Sequence, residues 1–149
     1  MAYDFILNLP HGWCSEMDTY IDESGAEVTH LEAQKKSING LIDIYVGETP
    51  EDETPEDQAW ANYAETVGFD EDDPEDYNPI FKIKFNGRNA WGFDAMCEGD
   101  SPMRFLCQEV RKGILAVIVM VAKSDEILEE VHQLVERNFR VKNQVQTAE

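Results

Sequence analysis

The side chains best suited to metal binding or nucleophilic catalysis are three histidines, His11, His30 and His132, and three cysteines, Cys14, Cys97 and Cys107. A zinc centre draws three or four Cys or His ligands from closely spaced pairs. Here there is no CxxC pair and the histidines lie far apart, so the spacing predicts no metal site. Cys14 follows His11 by three residues, but a nucleophile with its base is recognised by geometry, and nothing local marks one. The GxSxG, P-loop and dinucleotide fingerprints do not occur. An odd number of cysteines argues against a disulfide framework. They read as reduced thiols, with Cys97 and Cys107 placed on strands, and no cofactor is expected. Among so many carboxylates, no pair can be assigned to acid–base chemistry from sequence.

Those carboxylates are the stronger signal. The chain carries 31 acidic against 12 basic residues, a formal net charge of −19. Thirteen of the acids, and no Lys or Arg, lie between Glu48 and Asp76. Such a charge opposes nucleic-acid backbones and anionic membrane surfaces and attracts basic proteins. The densest run, Asp70, Glu71, Asp72, Asp73, Pro74, Glu75 and Asp76, fails as an EF-hand loop. Counted from Asp70, Glu75 falls where the glycine is required and Phe81 where the bidentate glutamate is required. It reads as a solvated acidic loop with loose divalent-cation affinity left open. Asp70, Glu71, Asp72, Asp73, Glu75 and Asp76, with Trp60 as an aromatic anchor, form the expected partner-binding set. The competing reading places Trp60 and Tyr63 in the core on the apolar face of a helix.

The elements that would hold these groups follow from hydropathy patterning. Ile114 to Ala122, ILAVIVMVA, is an uninterrupted apolar run, about half the length a membrane helix needs. Its β-branching and flanks favour a strand buried on both faces. Ile114, Ala116, Ile118 and Met120 would line one face, and Leu115, Val117, Val119 and Val121 the other. Tyr3 to Leu9 reads as an opening strand ended by Pro10, with the following turn returning Trp13 to the core. A hairpin joins Thr19–Asp22 to Ala26–Ala33. Asn39-Gly40 carries the type I′ signal ahead of a strand at Leu41–Val46. Thr54 as N-cap, Pro55 at the first position, Glu56 and Asp57 in the first turn and Gly68 as the stop define a helix. Its apolar stripe is Ala59, Trp60, Tyr63, Ala64 and Val67.

Ile80–Phe85 alternates as a half-buried strand, and Asn86-Gly87 turns it into Ala90–Cys97. A strict two-residue turn would set Trp91 and Phe93 beside Lys82 and Lys84, so a bulge or longer loop is expected there. Met103–Val110 follows, and the turn at Arg111-Lys112-Gly113 leads into the apolar strand. Ser124 caps a helix running to about Phe139, with a short extended piece after it. The pattern gives one domain over residues 1–141 and a polar tail over 142–149. The fold class is α+β: a central, mainly antiparallel twisted sheet of about six to eight strands with helices packed on its faces.

This order of elements resembles the PsbP/Mog-type (DcrB-like) domain family. The matching pieces are FILNLPHGW, LIDIYV, FKIKFNGRNAWGF and MRFLCQEVRKGILAVIVMVAKSDEILEEVHQLVERNFRV, spanning Phe5 to Val141. The resemblance implies an α/β/α sandwich. It also implies an accessory or binding role, since members include extrinsic photosystem subunits, a factor acting on the Ran GTPase, envelope lipoproteins and chaperones of secretion effectors. It transfers no site residue, and the long acidic insertion and the absence of a lipoprotein or transit signal depart from several members.

The functional expectation is a non-catalytic accessory or binding protein offering an acidic surface to a basic protein or peptide, with a chaperone or immunity-type role in view. The alternative is a small-ligand-binding or hydrolytic protein using a cleft between sheet and helix. An acidic mimic of nucleic acid is a third reading. The N-terminal MAYDFILNLPHGW lacks a charged n-region and meets proline early, so a cytoplasmic location is expected.

Overall fold

The apolar run Ile114 to Ala122 does form the middle of a sheet. The computed structural model of the chain describes residues 4–50, 52–68, 72, 77–97 and 99–141. In chain order the elements are β1 (Phe5–Leu7), β2 (Cys14–Ile21), β3 (Glu27–Lys35), β4 (Gly40–Glu48), α1 (Pro55–Thr66), β5 (Phe81–Phe85), β6 (Arg88–Met96), β7 (Pro102–Arg111), β8 (Ile114–Val121), α2 (Asp125–Asn138) and β9 (Phe139–Val141). Seven strands build one antiparallel sheet in the order β2-β3-β4-β8-β7-β6-β5, and β1 pairs with β9 in a separate two-stranded sheet. With β8 fourth of seven, both its faces must be covered. Ile114, Ala116, Ile118 and Met120 enter one core with α2, while Leu115 and Val121 enter another with α1. The two helices therefore lie on opposite faces of the sheet.

On the α2 face, Ser124 accepts a hydrogen bond from Ile127 N–H at 3.2 Å and starts the helix. Leu128, Val131 and Val135 then lie along the buried stripe. Phe5 of β1 meets Phe139 of β9 edge to face at 5.5 Å, so the small sheet caps this core. Arg104 on β7 ties the helix down. Its guanidinium donates to Asp94 at 2.7 and 3.0 Å and to Glu129 at 2.6 Å, and lies 3.1 Å from His132 Nδ1. A guanidinium only donates, so Nδ1 accepts and the ring is held neutral. Burial, then the Arg104 charge, lowers the His132 pKa, while the paired carboxylates raise that of Arg104.

On the other face, α1 lies against β6 and β7. Thr54 and Asp57 form a reciprocal capping box, Pro55 opens the helix, and Gly68 closes it at φ +82°. Ala59 and Tyr63 are buried; Trp60 is half-buried. Tyr63 stands edge-on to Phe93 at 5.3 Å, and Phe93 stacks on Phe105 at 5.2 Å. The stripe is narrower than its sequence suggests: Ala64 and Val67 are exposed. Gly92 has a steric reason to be glycine, since a Cβ there would collide with the Phe105 carbonyl oxygen.

Three local expectations need correction. Asn86-Gly87 makes a strict two-residue turn, both residues at positive φ, and Ile83 pairs with Ala90 without a bulge. Lys82 does lie beside Trp91, with its ammonium 5.4 Å from the indole centroid. Contact with the ring face makes this arrangement favourable. The bulge lies instead in β7, between Glu109 and Arg111. Asn39-Gly40 is not a type I′ turn: Lys36–Ile38 form one 3-10 turn, Asn39 takes the left-handed conformation at φ 51°, and Gly40 already belongs to β4. Gly40 is required by a close approach, because a Cβ there would come within 2.9 Å of the Trp13 ring. Cys107 is on β7 as expected, whereas Cys97 follows the last residue of β6 and donates its N–H to the Ser101 carbonyl at 2.8 Å.

Candidate functional site

Because α1 lies mainly against β6 and β7, no helix of the described residues covers β2, β3 and β4 on the same face. Strand alternation and register fix what is presented there. Adjacent cross-strand rows read Cys14–Gln34–Leu41, Glu16–Glu32–Asp43, Asp18–His30–Tyr45 and Tyr20–Val28–Gly47. No Lys or Arg occurs among these twelve positions. Glu16, Glu32 and Asp43 therefore face one another on three neighbouring strands, an arrangement that costs stability in an isolated protein. Each row continues onto β8, where Asp43 meets Val119, Tyr45 meets Val117 and Gly47 meets Leu115. The acidic rows thus end on an apolar floor.

His30 sits at the centre. Its Nε2 lies 2.8 Å from Asp43 Oδ1 and its Nδ1 3.6 Å from Asp18 Oδ1. A carboxylate only accepts, so Nε2 carries the hydrogen toward Asp43. The imidazole stacks on Tyr45, with centroids 4.3 Å apart and planes 5° from parallel. Burial and then neighbouring carboxylates, Asp43 for Tyr45 and Asp22 for Tyr20, push both phenol pKa values up. The two phenols remain protonated and stand among carboxylates, one face of Tyr45 being taken by His30. Between them and the Gln58/Asn62 edge of α1 runs a groove of about 470 Å³, floored by Leu115, Val117, Val119 and Phe105 and rimmed by Asp22 and Glu48. Tyrosine faces beside carboxylates suit cations, and the floor suits the aliphatic stems that carry them.

The structure distributes the groups singled out from sequence widely. Asp72 is exposed; Asp70, Glu71, Asp73, Glu75 and Asp76 lie outside the described residues, as does the tail from 142 to 149. Trp60 packs against the α1-side core, edge-on to Tyr63 at 6.3 Å. His11 is exposed in its turn, and His132 belongs to the Arg104 anchor. Cys14 is exposed on β2; Cys107 is buried, its thiol pushed up to about 12 by desolvation and so not a ready nucleophile. Among the described residues no three His, Cys, Asp or Glu side chains converge in a way that could hold a metal ion. No helix of the described residues is long and apolar enough to cross a membrane.

Sequence reasoning weighed His30 only as a metal-binding or catalytic group, and did not single out Glu16, Asp18, Tyr20, Glu32, Asp43 or Tyr45 as site residues. The available signal was alternation, with His30 and Glu32 two apart in EVTHLEA and Asp43 and Tyr45 two apart in LIDIYV, each pair separated by an apolar residue.

No protein-family model matches the chain, and no curated protein matches it. Among solved structures it is similar to a crystal structure of a protein from Bacteroides thetaiotaomicron VPI-5482, with a TM-score of 0.51 at 11% sequence identity. That likeness covers 95% of this chain and 46% of the other, so the chain spans about half the length of its neighbour. At this identity the likeness concerns the fold alone.

Proposed function

We propose that this protein is a non-catalytic accessory or binding protein whose open sheet face receives a basic protein surface or peptide, in the manner of a chaperone or immunity-type protein. The observation that carries the reading is the row Glu16–Glu32–Asp43: like charges set opposite one another on adjacent strands, where β2, β3 and β4 bring no Lys or Arg to this face and His30 reaches Asp43 alone of the three. A cationic partner would relieve that repulsion, while Tyr20, Tyr45 and the valine floor would take its side-chain stems. Glu48, the first carboxylate of the acidic segment, also rims the groove. Anionic partners such as nucleic acid or anionic membrane are disfavoured by the same field. Membership of the PsbP/Mog-type family and a cytoplasmic location belong to this proposal and rest on the order of elements and the unpaired cysteines.

The test is calorimetric titration with a Lys-rich peptide at about 0.05 M and about 0.5 M salt, where the screening length shrinks to a few Å. Binding that falls more than tenfold with salt, and falls again in Glu16→Gln/Glu32→Gln, is the expected result. Salt-independent binding, or none, contradicts it.

A second reading is favoured by the groove itself, whose volume of about 470 Å³ lies within the range of small-ligand pockets. An uncharged small molecule that raises the thermal midpoint, and loses that effect on Tyr45→Ala, would favour it over peptide recognition.

A further inference from the structure

The open face ends at an edge strand with unusual exposure. β2 is eight residues long, and every one of them is exposed. It is the last strand of the sheet, so its outer row of N–H and C=O groups meets no strand among the described residues. Proteins normally blunt such an edge with charged side chains, lysine above all, with proline, a bulge or a short strand. β2 has no lysine, proline or bulge and pairs with β3 in unbroken register; its only charges, Glu16 and Asp18, would repel another acidic edge but not a cationic strand. Its two faces also differ in chemistry. Glu16, Asp18 and Tyr20 point to the α1 side; Met17 and Ile21, 47% and 60% exposed, point to the other.

We propose that β2 is a docking edge that takes up an extended segment of a basic protein as an eighth strand, with Lys or Arg at alternate positions over Glu16 and Asp18 and aliphatic residues between them over Met17 and Ile21. This rests on the acidic-face reading above and specifies how the partner is held. Strand addition supplies main-chain hydrogen bonds for affinity, and alternate side chains supply specificity. Charge excludes a second copy of the chain as the occupant. The antiparallel self-pairings that overlap most of β2 set Glu16 or Asp18 directly opposite Glu16 or Asp18, between molecules that each carry −19. An alternating cationic and aliphatic strand meets complementary groups on both faces.

The probe is a blocked octapeptide of alternating Lys and Val, with two analogues N-methylated at all Lys or at all Val amides. N–H groups of successive residues in a strand point to opposite edges, so each analogue loses one hydrogen-bonding edge. The parent peptide is expected to slow amide exchange at alternate residues of β2. One analogue is expected to bind at least tenfold more weakly and the other about equally with the parent. Equal binding of both analogues, with no protection in β2, overturns strand addition while leaving the acidic-face reading intact. Failure of this peptide and of Lys-rich peptides alike overturns both. Concentration-dependent dimerisation through β2 in the absence of peptide overturns the assignment of a basic partner to this edge.

Discussion

The two ends of the sheet share one face and one register, yet they are finished differently. A single cross-strand row runs Asp18–His30–Tyr45–Val117–Cys107–Trp91–Lys82 through all seven strands. At the β5 end the edge strand is five residues long, Lys82 and Lys84 point outward, and the rings of Phe93 and Phe105 behind it are sealed under α1. At the β2 end the edge is longer, exposed on both faces and carboxylate-bearing, with no helix of the described residues above it. The lysine-bearing edge follows the usual defence against unwanted pairing. The acidic, uncovered end accepts repulsion that a purely structural sheet would avoid. The core of this face stops where the charge begins, and on the reading proposed above the β2 end is completed by another molecule.

That contrast makes graded predictions. Phe93→Ala, in the sealed half, is expected to cost about 3–5 kcal/mol by chemical denaturation, the usual loss for a buried aromatic. Tyr20→Ala, in the open half, should stay within about 1 kcal/mol; a comparable loss at Tyr20 would mean the open half is core after all. Gly92→Ala pushes a methyl into the Phe105 carbonyl and should cost about 1–3 kcal/mol as β6 and β7 separate. Glu16→Gln with Glu32→Gln should raise stability by about 0.2–1 kcal/mol by relieving the like-charge row, while weakening binding of a Lys-rich peptide. Stability lost on this neutralisation would remove the argument for a strained site.

Two smaller effects separate the halves further. His132, whose pKa is lowered from 6.5 by burial and by Arg104, binds a proton more readily in the unfolded chain. Its contribution therefore declines as pH falls below about 6.5 toward the lowered native value. Denaturation curves of the parent and of His132→Gln across this window should diverge in that direction, with the parent losing more. Thiol labelling should be fast at exposed Cys14 and slow at Cys107, where burial raises the thiol to about 12. Labelling of Cys107 at the rate of Cys14 in the native protein would show that α1 does not seal its half.

Much of the frame was legible in the sequence for identifiable physical reasons. The nine apolar residues from Ile114 demanded burial on both faces, and Thr54, Pro55 and Gly68 marked the ends of α1 by local capping chemistry. The strict register after Asn86-Gly87 was misjudged because sequence alone does not show that an edge lysine can lie over an indole. Asn39-Gly40 was misread because its glycine answers to Trp13, which is distant in sequence. The site was least legible. Asp18, His30 and Tyr45 become neighbours only once β2, β3 and β4 pair, whereas the acidic run from Asp70 to Asp76 draws attention by local density.

The most direct test of the central claim is a backbone and side-chain NMR map of the protein titrated with a Lys-rich peptide at low and at high salt. Shifts centred on Tyr20, His30 and Tyr45 that vanish as salt is raised are expected. Shifts confined to residues 70–76 and Trp60, or a β2–β4 face that does not respond to the peptide at low salt, would contradict it.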